Sequence, residues 1–205
     1  MPPWLYFVNI ESKYVLVRNL LFGLTIQENI IKIKTGDIMI LMFVRHGESI
    51  DNELTELGRK QCELMVMPKE NYNFSKIYCS IMNRCKQTAE YFSGKYNLEV
   101  EYVSGLKDRE MLSAEPKTAD EKEWYNNYLN KNYSHKNPEG CKDFLQRNFL
   151  EFDRIINAHK DKQENVILVA HSCTFYALQE YLNSSNGENI NYCRLSNCSK
   201  IYFEI

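Results

Sequence analysis

The stretch Ile38-Met39-Ile40-Leu41-Met42-Phe43-Val44 is a continuous apolar run that stops abruptly at Arg45-His46-Gly47-Glu48. A run of this length suits a strand buried on both faces, as strands are in a parallel sheet. A second run of the same kind, Val166-Ile167-Leu168-Val169-Ala170, ends in His171. Because ligands bind outside the carboxyl ends of parallel strands, we expect His46 and His171 to share one site although they lie far apart in the chain.

Predicted helices alternate with these strands. Thr55 is a candidate N-cap for a helix that carries Leu57 and Leu64. The other predicted elements are a strand at 77–79, a helix from Ser80 through Phe92 with Gly94 at its C′ position, a strand at 98–102, helices at 121–129, 143–159 and 175–182, and a last strand at 201–203. This alternation predicts an α/β domain with three layers, α/β/α, and a largely parallel central sheet.

The length of 205 residues indicates one domain with room at most for a small addition. The clearest boundary falls near Gly36-Asp37. Residues 1–37 are therefore predicted to be an N-terminal extension that lies on the core or is partly disordered, and residues 38–205 to be the main domain. A regulatory or membrane-contacting arm is the alternative for the extension.

Charge and cysteine usage restrict the class of protein further. The net charge is −2, and the Lys and Arg residues are scattered, which predicts neither a nucleic-acid partner nor a membrane surface. The seven cysteines contain no CxxC pair, and no leader-like or membrane-spanning stretch is recognisable. A cytoplasmic protein with reduced thiols is the expectation, while the oligomeric state stays open.

The residues at the strand ends have the chemistry of an anion site. Arg45 offers a planar fork for phosphate oxygens, His46 offers a nucleophilic nitrogen, and Gly47 lets a ligand approach the backbone. Arg84 begins a helix after another strand, and His171 completes the set. Taken singly, such a histidine is usually structural and such an arginine is usually solvated, so the prediction depends on their combination.

Four segments resemble the histidine phosphatase superfamily, which includes the cofactor-dependent phosphoglycerate mutases. The segments are residues 43–49 with Asn52, residues 54–61, residues 77–80 with Arg84 and 87–89, and residues 166–171 with Asn197 and Cys198. The first segment, FVRHGES, is the most specific of them. The resemblance covers about residues 38–205 and implies a phosphoglycerate mutase-like fold.

The resemblance also implies roles for individual residues. His46 would be the nucleophile that becomes phosphohistidine, and Arg45, Arg84 and His171 would hold the phosphoryl oxygens. Asn52 would be an additional contact on the phosphate side. Because the arginines and His171 supply the positive charge, neither a metal ion nor another cofactor is expected.

The general acid is less clear from the sequence. The family takes it from a Glu two residues after a Leu, just beyond the third strand, and here that segment reads Gly105-Leu106-Lys107-Asp108-Arg109-Glu110. Spacing favours Asp108, whereas residue type favours Glu110, and both stay open. The family's GDWEG-type stretch is absent, with residues 111–115 in its place, and Ser172 stands where a Gly is usual after the second histidine. The substrate pocket therefore cannot be interpreted from these residues.

The resulting prediction is a phosphatase, a hydrolase of a small-molecule or protein phosphate ester. A phosphoglycerate-mutase-type phosphotransferase is the nearest alternative. It is disfavoured because the span between the Arg84 helix and His171 is modest, whereas mutases carry a longer insertion there. A non-catalytic phosphate-binding protein of the same fold is a third alternative. Retention of Arg45, His46, Arg84 and His171 argues against it.

Overall fold

The computed structural model describes residues 38–65, 72–109, 118–127, 130–134, 139–183 and 195–205. The predicted extension, residues 1–37, lies outside the described residues, as do Glu110 and residues 111–115. The boundary between the extension and the main domain therefore stays a prediction.

A five-stranded sheet forms the centre of the described part of the chain, in the order β5-β4-β6-β1-β7. Its strands are β1 (Ile40–Arg45), β4 (Phe74–Ser80), β5 (Glu99–Val103), β6 (Asn165–Ala170) and β7 (Lys200–Glu204). All neighbouring strands are parallel except β1 and β7. A short antiparallel pair, β2 (Ser49–Ile50) and β3 (Glu53–Leu54), follows β1.

The helices are α1 (Glu56–Leu64), α2 (Asn83–Tyr96), α3 (Ala119–Asn126), α4 (Cys141–His159) and α5 (Ser172–Leu182), with 3₁₀ turns at Ser104–Leu106 and Lys160–Lys162. Alternate residues of β1 face opposite sides of the sheet. Leu41 and Phe43 pack in one buried cluster with side chains of α4 and α5. Met42 and Val44 pack in a second cluster with side chains of α2. The predicted three-layer α/β/α class with a largely parallel sheet is confirmed.

Strand register explains why the two histidines meet. Arg45 pairs with Ala170, so His46 and His171 each follow the last paired residue of neighbouring parallel strands. Their strands β1 and β6 are buried along almost their whole length. The apolar composition of the two runs therefore fixes their central position, and that position brings the two histidines to one edge of the sheet.

Several element boundaries differ from the predicted ones. Thr55 is the N-cap of α1, as predicted, and its hydroxyl accepts a hydrogen bond from the Gly58 N–H at 3.0 Å. The prediction that Gly94 ends α2 is wrong: the helix runs to Tyr96, and Asn97 takes the left-handed conformation instead, with φ 53°. Asparagine tolerates that conformation because its side chain hydrogen-bonds locally.

Two helix starts also differ. Helix α2 begins at Asn83 rather than Ser80, because Ser80 still belongs to strand β4. Helix α4 begins at Cys141, two residues before the predicted start at Asp143. Among the described residues, no helix is both long enough and apolar enough to cross a membrane.

Candidate active site

Residues 46–48, here called the His46 loop, are fixed by the backbone of neighbouring strands. The His46 N–H donates to the carbonyl oxygen of Ala170 at 3.1 Å. The His46 carbonyl accepts from the Cys198 N–H at 3.2 Å and from Asn197 Nδ2 at 3.3 Å. Cys198 has a φ of 56°, the left-handed conformation, in the turn before β7. The main chain of His46 is therefore held from both sides.

The ring of His46 is oriented by its own loop. Nδ1 lies 2.7 Å from the carbonyl oxygen of Gly47, which can only accept, so Nδ1 carries the proton and Nε2 carries the lone pair. The side chain is 5% exposed, and burial lowers the pKa of His46 to about 4. The positive charges of Arg84 and Arg45 contribute to this low pKa, whereas the hydrogen bond to Gly47 opposes it. His46 is thus a neutral imidazole at pH 7 with a basic nitrogen available.

The position of Gly47 allows no side chain. A Cβ added to Gly47 would lie 2.8 Å from the carbonyl oxygen of Gly58 and 3.1 Å from Leu54 Cδ2. The Gly47 N–H donates to Thr88 Oγ1 at 3.1 Å, which ties the loop to helix α2. Helix α1 therefore packs directly against the backbone of the loop.

Arg84 lies at the centre of the site, and its guanidinium meets four predicted site residues. Nε donates to His46 Nε2 at 3.2 Å, and Nη1 donates to Asn52 Oδ1 at 3.2 Å. Nη2 lies 2.8 Å from Asp108 Oδ2 and 3.3 Å from His171 Nδ1. Asn52 is held in a left-handed turn, with φ 69°, that aims its amide at Arg84.

His171 is 1% exposed, and its ring centroid lies 5.2 Å from that of His46. Arg84 can only donate, so His171 Nδ1 accepts, and Nε2 donates to Ser80 Oγ at 2.9 Å. Burial is the main reason why the pKa of His171 is well below its usual value, and the Arg84 charge adds to the effect. His171 is therefore neutral, with the proton on the nitrogen that faces Ser80.

Arg45 contributes its positive charge to the site. One guanidinium nitrogen, Nη1, donates to the carbonyl oxygen of Leu195. The charge of Arg45 lowers the pKa of His46, of His171 and of Asp108. The charges of two arginines thus act on one group of side chains, an environment that favours an anion.

Asp108 lies within residues 104–109, here called the Asp108 loop, which follows the edge strand β5. Its Oδ2 lies 3.5 Å from His171 Nδ1. Burial raises the pKa of Asp108, and the Arg84 charge opposes that rise. The loop is braced by Arg147 of α4, whose Nη1 donates to the Gly105 carbonyl at 2.7 Å and whose Nη2 donates to the Asp108 carbonyl at 3.4 Å.

The structure brings Arg45, His46, Asn52, Arg84, Asp108 and His171 together. Glu110 lies outside the described residues. The sequence does not predict the contacts that Ser80, Thr88 and Arg147 make with the site residues and their loops. Thr88 follows Arg84 by one helical turn, which places both on one face, whereas no local pattern marks Arg147.

Within the described residues, no group of three or more His, Cys, Asp and Glu side chains is placed to hold a metal ion. The positive charge in the site comes from arginine side chains. Such a site can bind a phosphoryl group, present a neutral imidazole nitrogen to its phosphorus atom, and supply a carboxyl group of raised pKa nearby.

Comparisons with known proteins concern the family and the fold. The model of the histidine phosphatase superfamily, branch 1, matches residues 41–205. A probable phosphatase of Schizosaccharomyces pombe is 24% identical over 161 residues, which are 73% of this chain and 76% of that protein.

Two solved structures share the fold. The mycobacterial glucosyl-3-phosphoglycerate phosphatase, solved with VO3, has a TM-score of 0.63 at 19% identity, over 80% of this chain and 92% of that one. The phosphoserine phosphatase of Entamoeba histolytica, solved with 3-phosphoglyceric acid, has a TM-score of 0.61 at 19% identity, over 80% and 89%.

Proposed function

The chain belongs to the histidine phosphatase superfamily, and we propose that it hydrolyses phosphate monoesters through a phosphohistidine on His46. The observation that carries the proposal is the lone pair of His46 Nε2. The imidazole is neutral and buried, and its Nε2 accepts a hydrogen bond from the Arg84 guanidinium. A guanidinium is the group best suited to bind a phosphoryl oxygen. Relatives named as phosphatases favour hydrolysis over the mutase and the non-catalytic alternatives.

In the first step, phosphoryl oxygens accept hydrogen bonds from the guanidinium groups of Arg84 and Arg45, beside His171. Arg84 Nε, which lies 3.2 Å from His46 Nε2, turns from the imidazole to a phosphoryl oxygen and frees the lone pair. Nε2 then attacks phosphorus while the bond to the leaving oxygen breaks. The proton on Nδ1 stays hydrogen-bonded to Gly47, which stabilises the imidazolium-like phosphohistidine as positive charge develops.

Asp108 supplies the proton that the leaving oxygen needs. Its carboxyl group lies in the site beside Arg84 and His171, and burial raises its pKa. A bound phosphate dianion adds negative charge and raises that pKa further, so the acid form becomes available to protonate the leaving oxygen. In the second step, the Asp108 carboxylate takes a proton from the water that attacks phosphorus and breaks the P–N bond. Glu110 stays the alternative donor.

The experiment is a hydrolysis screen with purified protein on phosphate esters that include an aryl phosphate, a phosphoglycerate and phosphoserine. Release of inorganic phosphate is measured together with any isomerised ester, because a mutase would produce the latter. We expect phosphate release that His46→Ala lowers about a thousandfold or more, since the chemical step depends on the nucleophile.

His159→Gln is the matched control, because His159 is also a buried histidine but pairs with Tyr78 and Glu164 outside the site. It should keep activity. Turnover by His46→Ala at the wild-type rate would refute the role of His46.

A further inference from the structure

Cys62 and Cys198 lie beside the His46 loop, although 136 residues separate them in the chain. Their Sγ atoms are 3.6 Å apart, close enough for a weak S–H···S hydrogen bond. Both are free thiols, Cys62 buried on α1 and Cys198 half-buried in the turn before β7. A disulfide needs an S–S distance of about 2.05 Å, so the two sulfurs must approach each other by about 1.5 Å.

Both cysteines contact the backbone that orients His46, Cys198 through its main-chain N–H and Cys62 through its sulfur. The Cys198 N–H donates to the carbonyl oxygens of Arg45 and His46, at 3.1 and 3.2 Å. Cys62 Sγ would lie 3.2 Å from a Cβ at Gly47, the residue whose carbonyl holds the His46 ring. A backbone movement at either cysteine that brings the sulfurs together therefore acts on the main chain beside the nucleophile.

We propose that Cys62 and Cys198 form an oxidative modification site, at which a peroxide converts the two thiols to a disulfide that displaces the His46 loop and lowers turnover. The disulfide itself depends only on the thiol pair, whereas its effect on turnover rests on the proposed function of His46.

The chemistry balances with peroxide as the oxidant. The Cys62 thiolate attacks a peroxide oxygen, the O–O bond breaks, hydroxide leaves, and Cys62 becomes a sulfenic acid. Cys198 sulfur then attacks Cys62 sulfur, the S–S bond forms, and the S–O bond breaks to release water. With hydrogen peroxide, two thiols and one peroxide yield one disulfide and two waters.

Cys62 is the sulfur that reacts first. The hydrogen bond from Cys198 lowers the pKa of the Cys62 thiol, and the charge of Arg59 adds to the effect. Burial raises the pKa of Cys79, of Cys85 and of Cys141, which disfavours their thiolates.

The test uses the full chain, reduced and then exposed to hydrogen peroxide over a range of concentrations. Intact mass and peptide mapping should find a loss of two hydrogens and a Cys62–Cys198 linked peptide. Hydrolysis of an aryl phosphate should fall at least about tenfold, since a 1 Å displacement at an active site costs up to about a hundredfold. A dithiol reductant should restore it.

The variants Cys62→Ala and Cys198→Ser should abolish the linked peptide and the reversible loss, each compared with its own reduced form. Cys173→Ser, a half-buried thiol elsewhere on α5, should respond as the wild type does. If peroxide yields no Cys62–Cys198 link in the wild-type chain, the modification site is refuted, whatever the enzyme's activity. If the link forms and turnover is unchanged, the switch is refuted. A wild-type chain without phosphatase activity that still forms the link contradicts the proposed function and not the thiol site.

Discussion

The His46 loop and the Asp108 loop lie on either side of Arg84, but they are held in different ways. The His46 loop follows the central strand β1 and is fixed largely by main-chain bonds, to Ala170 on one side and Cys198 on the other. The Asp108 loop follows the edge strand β5 and is held by side chains, namely the buried Leu106 and arginines from α2 and α4. A loop fixed by neighbouring backbones tolerates little displacement, whereas a loop fixed by long side chains can adjust. We therefore expect the first loop to be rigid and the second to be adaptable.

The largest expected difference between the loops comes from an added methyl group in each. In Gly47→Ala the new Cβ would meet the Gly58 carbonyl at 2.8 Å, and a backbone atom cannot move away easily. In Gly105→Ala the atoms nearest the new Cβ belong to the side chain of Glu151, and a side chain can move more readily than a backbone carbonyl. We expect kcat/KM to fall about a hundredfold or more in the first variant and less than about tenfold in the second.

Steady-state kinetics on an aryl phosphate check this difference, with thermal unfolding as a control for folding. Equal losses of kcat/KM in Gly47→Ala and Gly105→Ala would show that the two loops do not differ in rigidity.

Substitution of the acid should have an effect that depends on the leaving group. Asp108→Asn should slow alkyl phosphates about a hundredfold and spare an activated aryl phosphate, because only a poor leaving group needs a proton. Glu110→Gln is the matched variant from the same segment. If Glu110→Gln shows that pattern and Asp108→Asn does not, the acid is Glu110; if neither does, the donor lies elsewhere.

A smaller effect of the same kind is expected at Arg147, which acts through the position of Asp108. Arg147→Met removes the bonds to the Gly105 and Asp108 carbonyls and should slow alkyl phosphates about tenfold, with little change on an aryl phosphate. In an Asp108→Asn background the same substitution should add no further dependence on the leaving group. An equal loss on both classes of ester would show that Arg147 only stabilises the fold.

The pH profile should reflect both loops. His46 attacks as the neutral form, and because burial lowers its pKa to about 4, the rate should fall only as pH drops through about 4. Asp108 donates as the protonated form, whose pKa burial raises, so alkyl phosphate hydrolysis should fall as pH rises through that pKa. Asp108→Asn should lose this alkaline limb. Profiles of kcat/KM, corrected for ionisation of the ester, measure this, and an acid limb near 6.5 would contradict a buried His46.

Much of the fold could be predicted because the decisive signals are local. The two apolar runs predict central strands, and the strand ends predict where His46 and His171 lie. Thr55 could be predicted as a cap because its hydroxyl bonds within its own helix. The C-terminal end of α2 was predicted wrongly at Gly94, since Asn97 can also take a left-handed conformation.

The rest of the site depends on contacts across the fold that no local pattern contains. Arg147 reaches the Asp108 loop from 39 residues away in the chain, and Cys62 meets Cys198 across 136 residues. Ser80 was predicted to open a helix, but it ends β4 and its hydroxyl bonds to His171 instead. These roles follow from the order of the strands in the sheet, which the sequence pattern does not determine.

If His46 Nε2 carries the phosphoryl group during turnover, the phosphohistidine intermediate can be trapped. The protein is mixed with a ³²P-labelled ester and quenched at alkaline pH within the first turnovers, because phosphohistidine is acid-labile. Peptide mapping should then find the label on His46, on the nitrogen that does not bond to Gly47, and no label in His46→Ala. Full hydrolysis with no label on His46, or with label on another residue, would contradict the account.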